Sequence, residues 1–424
     1  MIARERVRLA LEHQEADRVP LDLGATVTTG MHVSVVYQLR QALGLDAPGM
    51  PVKVIEPGQM LGEIKPDLMD ALGVDTVAVM GLRAAFGFPM AGWKPWSLHN
   101  GTPVLVPDGF NIVPERNGDI LIYPEGDRSA PPSGRMPKDG WFIDALIRQP
   151  PIDEERLNPA DNLEEYGPIS AEALDHFRRE VERLFTATDR ALVMNFGGMS
   201  FGDVARVPGV GLRHPRGIRD VEEWYVSLLT RPTYIRDVFE GQCAIALNNL
   251  AKLFEAVGNR VSVLYVTGAD FGAQNGLLVA PDVYRELFMP VHQRVNDWVH
   301  CHTTWKTFMH SCGAVIDLMD LFIEAGFDIL NPVQCSAAGM DPAILKRRFG
   351  SRLTFWGGGV DTQQVLPFGS PEDVRRQVAE RIRDLGSGGG FVFNPIHNVQ
   401  AQTPIANLLA LYETVRECGR YPLR

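Results

Sequence analysis

Short apolar runs alternate with longer amphipathic stretches along most of the chain. Eight runs, at 18–23, 75–80, 191–196, 261–266, 305–310, 327–331, 353–356 and 390–394, are brief and rich in β-branched or aromatic residues. Small or polar residues usually follow them, and this pattern predicts strands. The stretches at 3–13, 33–43, 171–187, 221–229, 234–257, 281–302, 314–325, 342–349, 371–385 and 404–417 predict helices. Several open with proline near the first turn, where its missing N–H costs nothing. Eight strands alternating with helices predict an α/β fold, a (β/α)8 TIM barrel, as a single domain over 1–424. The rival is a doubly wound sheet. It would usually carry a phosphate-type glycine loop, yet neither GxGxxG nor a P-loop follows the first strand, and "GVGLRHPRG" at 209–217 has the spacing of neither.

The rhythm breaks at about 98–165. Apolar and polar residues alternate there around "RNGD", and Asn117-Gly118 is a strong hairpin turn signal. A proline-rich stretch, "SAPPSGRMPKDG", follows. The reading is a β-hairpin-containing insertion plus a covering loop after the second strand. Such a loop either shapes a substrate pocket or forms an oligomer contact. The aromatic residues Phe86, Phe88, Trp93, Trp96, Phe110 and Trp141 in and before it either line that pocket or pack a plain hydrophobic core.

Composition narrows the classes. Hydrophobic content of 45% and charged content of 22% describe an ordinary globular chain. A formal net charge of −11 argues against nucleic acid as the main partner. No apolar stretch reaches transmembrane length, the N-terminus lacks the apolar core of a secretion signal, and the five cysteines are scattered. The expectation is a cytoplasmic protein with no membrane partner; a homodimer is compatible with it.

In a barrel, chemistry sits at the C-terminal ends of the strands. Those ends read Asp22, "NFGGMSFGD", "VTGADFGAQNG", "HSCG", "NPVQCSAAGMD", "WGGGVDTQ" and "FNPIHNVQ". His310 and Cys312 face the same way if the strand end is extended. An imidazole and a thiolate so placed suit Zn2+, and Cys335 or His397, at two other strand ends, would supply a third ligand. Alternatively, Cys312 is a buried thiol beside a polar histidine. Asp270 either orients a ligand, acts as acid or base, binds substrate, or caps nearby N–H groups. Asp361 is a catalytic candidate or a helix N-cap. Asp22, Asn275, Gln334 and Gln363 are candidate substrate contacts. Asp22 and Asp75 also suit purely structural roles, and His300 and His302 belong to the opposite, stability face.

The stretches "RVPLDLG", "DLMDALGVDTV", "APDVYRELFMPVHQRV", "HSCGAV", "GFDILNPVQ", "LTFWGGGVDTQ" and "FVFNPIHNVQAQTPIANLLALYETVRECG" resemble the uroporphyrinogen decarboxylase superfamily. The resemblance implies a (β/α)8 barrel. Within the superfamily, the decarboxylases proper carry an arginine-rich segment near the N-terminus and an "FSDI"-like segment. Here "RVPLDLGATVTTG" has no arginine after Arg18, and no FSDI occurs. The zinc-dependent, corrinoid-linked methyltransferase branch holds zinc with an H-x-C pair and a distant cysteine. His310 and Cys312 match the pair; where the distant cysteine would fall stands His397, with Cys335 as the alternative. The resemblance implies transfer of a methyl group from a small O-methyl compound to the cobalamin-type corrinoid of a separate corrinoid protein; the aromatic residues of the insertion make a methoxyarene the first expectation. The chain itself lacks the D-x-H-x-x-G corrinoid signature. The alternatives are the thiol-methylating direction, a metal-free decarboxylase of a small acid using Asp270 or Asp22, and a non-catalytic ligand-binding barrel.

Overall fold

The computed structural model describes residues 1–423. Seven parallel strands form one sheet in sequence order: β1 (Thr76–Val79), β2 (Ala191–Met194), β3 (Val263–Thr267), β4 (Lys306–His310), β5 (Ile329–Asn331), β6 (Thr354–Trp356) and β7 (Phe391–Val392). Helices connect most of them, as parallel pairing demands. The eighth position belongs to residues 18–23. This segment is not a regular strand, yet it closes the ring. Leu21 bridges Phe393 in parallel, the Asp22 N–H donates to the Phe393 carbonyl across 2.8 Å, and the Asp75 N–H donates to the Leu21 carbonyl across 2.7 Å. The molecule is a TIM barrel.

Side chains alternate between the two faces of each strand. The inward set, Ala191, Val193, Val263, Tyr265, Phe308, Ile329, Trp356 and Val392, forms one buried cluster inside the ring. The cluster continues into Val7, Ala10 and Leu11 of helix Ala3–Leu11, so this helix plugs the N-terminal end of the barrel. Outward residues pack against the surrounding helices in a second, larger core. The same alternation carried one step further makes the next inward residues His310 on β4 and Asn331 on β5. The floor of the barrel is apolar and its mouth is polar.

Regular helices come where the pattern places them, with local causes visible. Ser170 caps helix Ala171–Ala187, and Ser370 and Asp373 form a reciprocal capping box at Pro371–Gly386. The stretch 281–302 is one helical rod with a π-helical turn at Tyr284–Phe288 in place of a continuous α-helix.

The region outside the barrel differs from the sequence reading in its extent. Val52–Glu56 and Leu61–Gly62, which the pattern does not pick out, are strands, and Pro66–Leu72 is a helix. Val52–Glu56 pairs in parallel with Pro103–Val106, which pairs antiparallel with Lys94–Ser97. The accessory structure therefore draws on chain from both before and after β1. A second antiparallel sheet joins Ile112–Pro114, Ile120–Ile122, Gly134–Met136 and Asp144–Ala145. The aromatic residues of these sheets mostly pack on one another: Phe86 stacks on Phe88, and Trp96 tilts against Phe110 at 5.3 Å. Phe86, Phe88 and Phe110 are buried core.

Candidate metal centre

His310 is the last residue of β4 and Cys312 stands two residues later. His397 follows β7 across the mouth. Among the described residues these three are the group whose ligand atoms converge: one atom from each lies within 4.8 Å of the others. The Cys312 Sγ is 3.4 Å from His310 Nε2, and the rings of His310 and His397 meet at 72° with centroids 5.3 Å apart. Zn–S and Zn–N bonds of ordinary length give a tetrahedron with edges of roughly 3.5 Å, so the donor set fits a zinc ion. Two imidazoles and one thiol are also the ligand types zinc prefers, and three protein ligands leave one position open. His310 is buried; Cys312 and His397 are partly exposed, which opens the group towards the mouth.

The loop bearing Cys312 is fixed through its backbone. Four consecutive N–H groups donate to four separate acceptors: Ser311 to the Asn331 carbonyl, Cys312 to Asp270 Oδ1, Gly313 to Gln334 Oε1 and Ala314 to the Ala273 carbonyl, all at 2.7–2.8 Å. Gly313 has φ +87°, and a Cβ there would lie 2.3 Å from the backbone of Gly272. Only glycine fits the left-handed turn and the close approach. The residue spacing H-x-C-G thus encodes both the two candidate ligands and the turn that aims them.

Electrostatics follow burial. Desolvation pushes His310 down to about 4 and His397 down to about 3, so both imidazoles are neutral at ordinary pH, the form a metal requires. Burial, reinforced by the Asp270 carboxylate, pushes the metal-free Cys312 thiol well above its usual range. Burial also raises Asp270, against the Cys312 N–H that favours its charged form. Asp203 lies close by and is raised to about 6, chiefly by burial.

The other sequence candidates fall elsewhere. Cys335 does not join the group: its thiol points at the carbonyls of Val333 and Gly358, 3.4 and 3.9 Å away. Asp22 is fully buried and spent on the Ala25 N–H, the Thr76 hydroxyl and Trp356 Nε1. Asp361 Oδ1 accepts from the N–H groups of Gln363 and Gln364, in the turn that precedes the short helix Val365–Phe368, whose N-cap is Gln364. Asn275 and Gln363 are exposed, whereas Gln334 braces the loop bearing Cys312 through Gly313 and Gln274. His300 pairs with Asp328 and His302 with the Trp298 carbonyl, away from the mouth. Sequence reasoning missed Asn331, whose side chain contacts His310, and Asp203. The inward alternation of β5 was the available signal for Asn331; Asp203 sits in an irregular loop with none.

Comparison with known proteins agrees with this architecture. The chain is 26% identical to the uroporphyrinogen decarboxylase of Synechococcus sp. (strain JA-3-3Ab) over 321 residues, covering 74% of this chain and 77% of that one. Over 86 residues it is 30% identical to the uroporphyrinogen decarboxylase of Coxiella burnetii (strain Dugway 5J108-111), 19% of this chain and 23% of the relative. A solved structure described as a methyltransferase from Methanosarcina mazei superposes with a TM-score of 0.54 at 16% identity, covering 98% of this chain and 99% of that one, a likeness of fold. The profile of the uroporphyrinogen decarboxylase (URO-D) family matches residues 144–418, a span holding six of the seven sheet strands and all three converging ligands, and the chain belongs to that family.

Proposed function

We propose that this protein is a zinc-dependent methyltransferase that takes a methyl group from a small O-methyl compound and passes it to the reduced corrinoid of a separate protein. The observation that carries the reading is the convergence of His310, Cys312 and His397 at the barrel mouth. Bound there, zinc would supply Lewis acidity at the leaving oxygen, which an unactivated ether needs because its alkoxide or phenolate leaves poorly. The chain's own part is positional. His310 and His397 present neutral nitrogens, Cys312 presents sulfur, and Asp270 and Gln334 fix the loop between them. The partly exposed side of the group faces the mouth, where donor and corrinoid must meet.

An aromatic donor is not required by the accessory sheets, since Phe86, Phe88 and Phe110 are committed to packing. The test therefore uses a panel of aryl and alkyl methyl ethers. Zinc-loaded protein, reduced corrinoid protein and each ether are mixed, and the corrinoid spectrum is followed. Methylation from at least one ether supports the reading. Demethylation of methylated corrinoid by an added thiol, with no ether accepted, reverses the direction. A second reading, decarboxylation of a small acid, is favoured by the half-buried Asp270 with its raised protonation range and by the names of the relatives. Chelator-insensitive release of carbon dioxide with no methyl transfer would select it.

A further inference from the structure

We infer that Asn331 sets the tautomer of His310 and so makes Nε2 the atom that binds metal, while keeping a neutral partner behind the ligand. The inference extends the metal-centre reading to a residue that touches no substrate. Asn331 is fully buried at the end of β5. Its amide could in principle present either end to His310. The Trp356 carbonyl decides between them: it can only accept, and it lies 2.9 Å from Asn331 Nδ2. The amide nitrogen is therefore turned to Trp356 and Oδ1 to His310, 2.6 Å from Nδ1. With the amide turned this way, the Thr28 hydroxyl is also placed to donate to the same Oδ1, across 3.3 Å.

An amide oxygen only accepts, so the neutral imidazole must carry its proton on Nδ1. The lone pair is then on Nε2, the nitrogen 3.4 Å from Cys312 Sγ. Metal-bound histidines commonly donate their second nitrogen to a carboxylate or a carbonyl, and a carboxylate makes the ligand more basic. Here the acceptor is uncharged. With one thiolate and two neutral imidazoles, a zinc ion keeps a net positive charge and its Lewis acidity. Asn331 is thus a positioning residue with a second role in tuning.

The test reads the tautomer and the affinity separately. Long-range proton–nitrogen spectra of the metal-free, 15N-labelled full chain should show His310 protonated at Nδ1. Asn331→Leu, close in shape but without the acceptor, should mix the two tautomers and weaken zinc binding 10- to 100-fold in competition with a chromophoric chelator. Asn331→Asp should restore the Nδ1–H tautomer and bind zinc at least as tightly as the wild type, and this variant carries the test should Asn331→Leu fail to fold. A wild-type His310 protonated at Nε2, or wild-type zinc affinity in Asn331→Leu, overturns the inference. A wild type that binds no zinc overturns the metal reading instead, and the tautomer spectrum still decides the role of Asn331.

Discussion

The backbone N–H of Cys312 donates to Asp270 Oδ1 across 2.7 Å, joining the loop after β3 to the loop after β4. An aspartate at a strand end in a glycine-rich loop reads as an acid or base, but the contact seen here holds the backbone of Cys312. Asp270→Ala leaves the Cys312 N–H without that acceptor, at a cost of about 1–3 kcal/mol. The expected outcome is weakened zinc binding with a modest fall in thermal midpoint. Asp270→Asn keeps an acceptor and should retain zinc. Equal zinc content in wild type and Asp270→Ala would remove Asp270 from the support of the site.

The ligand set predicts a pattern across single variants. Purified wild-type protein should hold one zinc per chain by elemental analysis. His310→Ala, Cys312→Ala and His397→Ala should each lose most of it. Cys335→Ala should keep it, because the Cys335 thiol faces carbonyls outside the converging group. Loss of zinc in Cys335→Ala alone among these would move the third ligand away from His397.

Much of this site was legible in the sequence because a strand end has a simple geometry. Period-two alternation puts His310 inward, two residues on comes Cys312, and glycine follows where the turn must be left-handed. His397 was legible only as one of two choices. Separating it from Cys335 needed the path of the loop after β5, which no periodicity encodes. The barrel was legible from eight apolar runs, although residues 18–23 complete the ring through isolated bridges and not as a regular strand. Val52–Glu56 was lost to view because five residues without strict alternation, beside prolines, look like loop; its partner lies some fifty residues away. From position alone, Asp361 reads as catalytic or as a helix cap, and Asp22 as a substrate contact or a structural carboxylate. Their hydrogen bonds, which the sequence does not contain, tie Asp361 to the turn before helix Val365–Phe368 and Asp22 to the barrel interior.

Asp203 predicts a pH dependence of stability. Its carboxyl is buried beside Tyr265 and Asp270, with the exposed Arg206 as the nearby cation, and its folded value is raised from 3.8 to about 6. Below 3.8 the group is protonated both folded and unfolded, so it costs nothing. Between 3.8 and 6 the unfolded chain loses the proton first, and stability falls as pH rises. Above 6 the penalty is complete, at about 3 kcal/mol. Asp203→Asn should therefore be stabilised relative to wild type at pH 7 and should lose that advantage at pH 4. Parallel unfolding curves for the two proteins at both pH values would show that the carboxyl is not buried in this way.

At the opposite end of the barrel, Asp75 is buried at the start of β1 and accepts from Arg6 Nη1 at 2.6 Å, Arg18 Nη1 at 2.7 Å and the Leu21 N–H at 2.8 Å. The carboxylate ties helix Ala3–Leu11, which plugs the barrel, to the segment that closes the ring. Removing one partner of a buried ion pair strands the other, and here Arg6 would be left buried and only partly compensated by Asp17. Asp75→Ala should therefore destabilise the protein by about 3–5 kcal/mol, read as a lower urea midpoint. Its zinc content in the native baseline should equal that of wild type, since no ligand lies at this end. Asp75→Leu combined with Arg6→Met removes both charges and should recover much of the loss. A double variant as unstable as Asp75→Ala would show that the aspartate acts through Arg18, the Leu21 N–H and the ring closure, and not through Arg6.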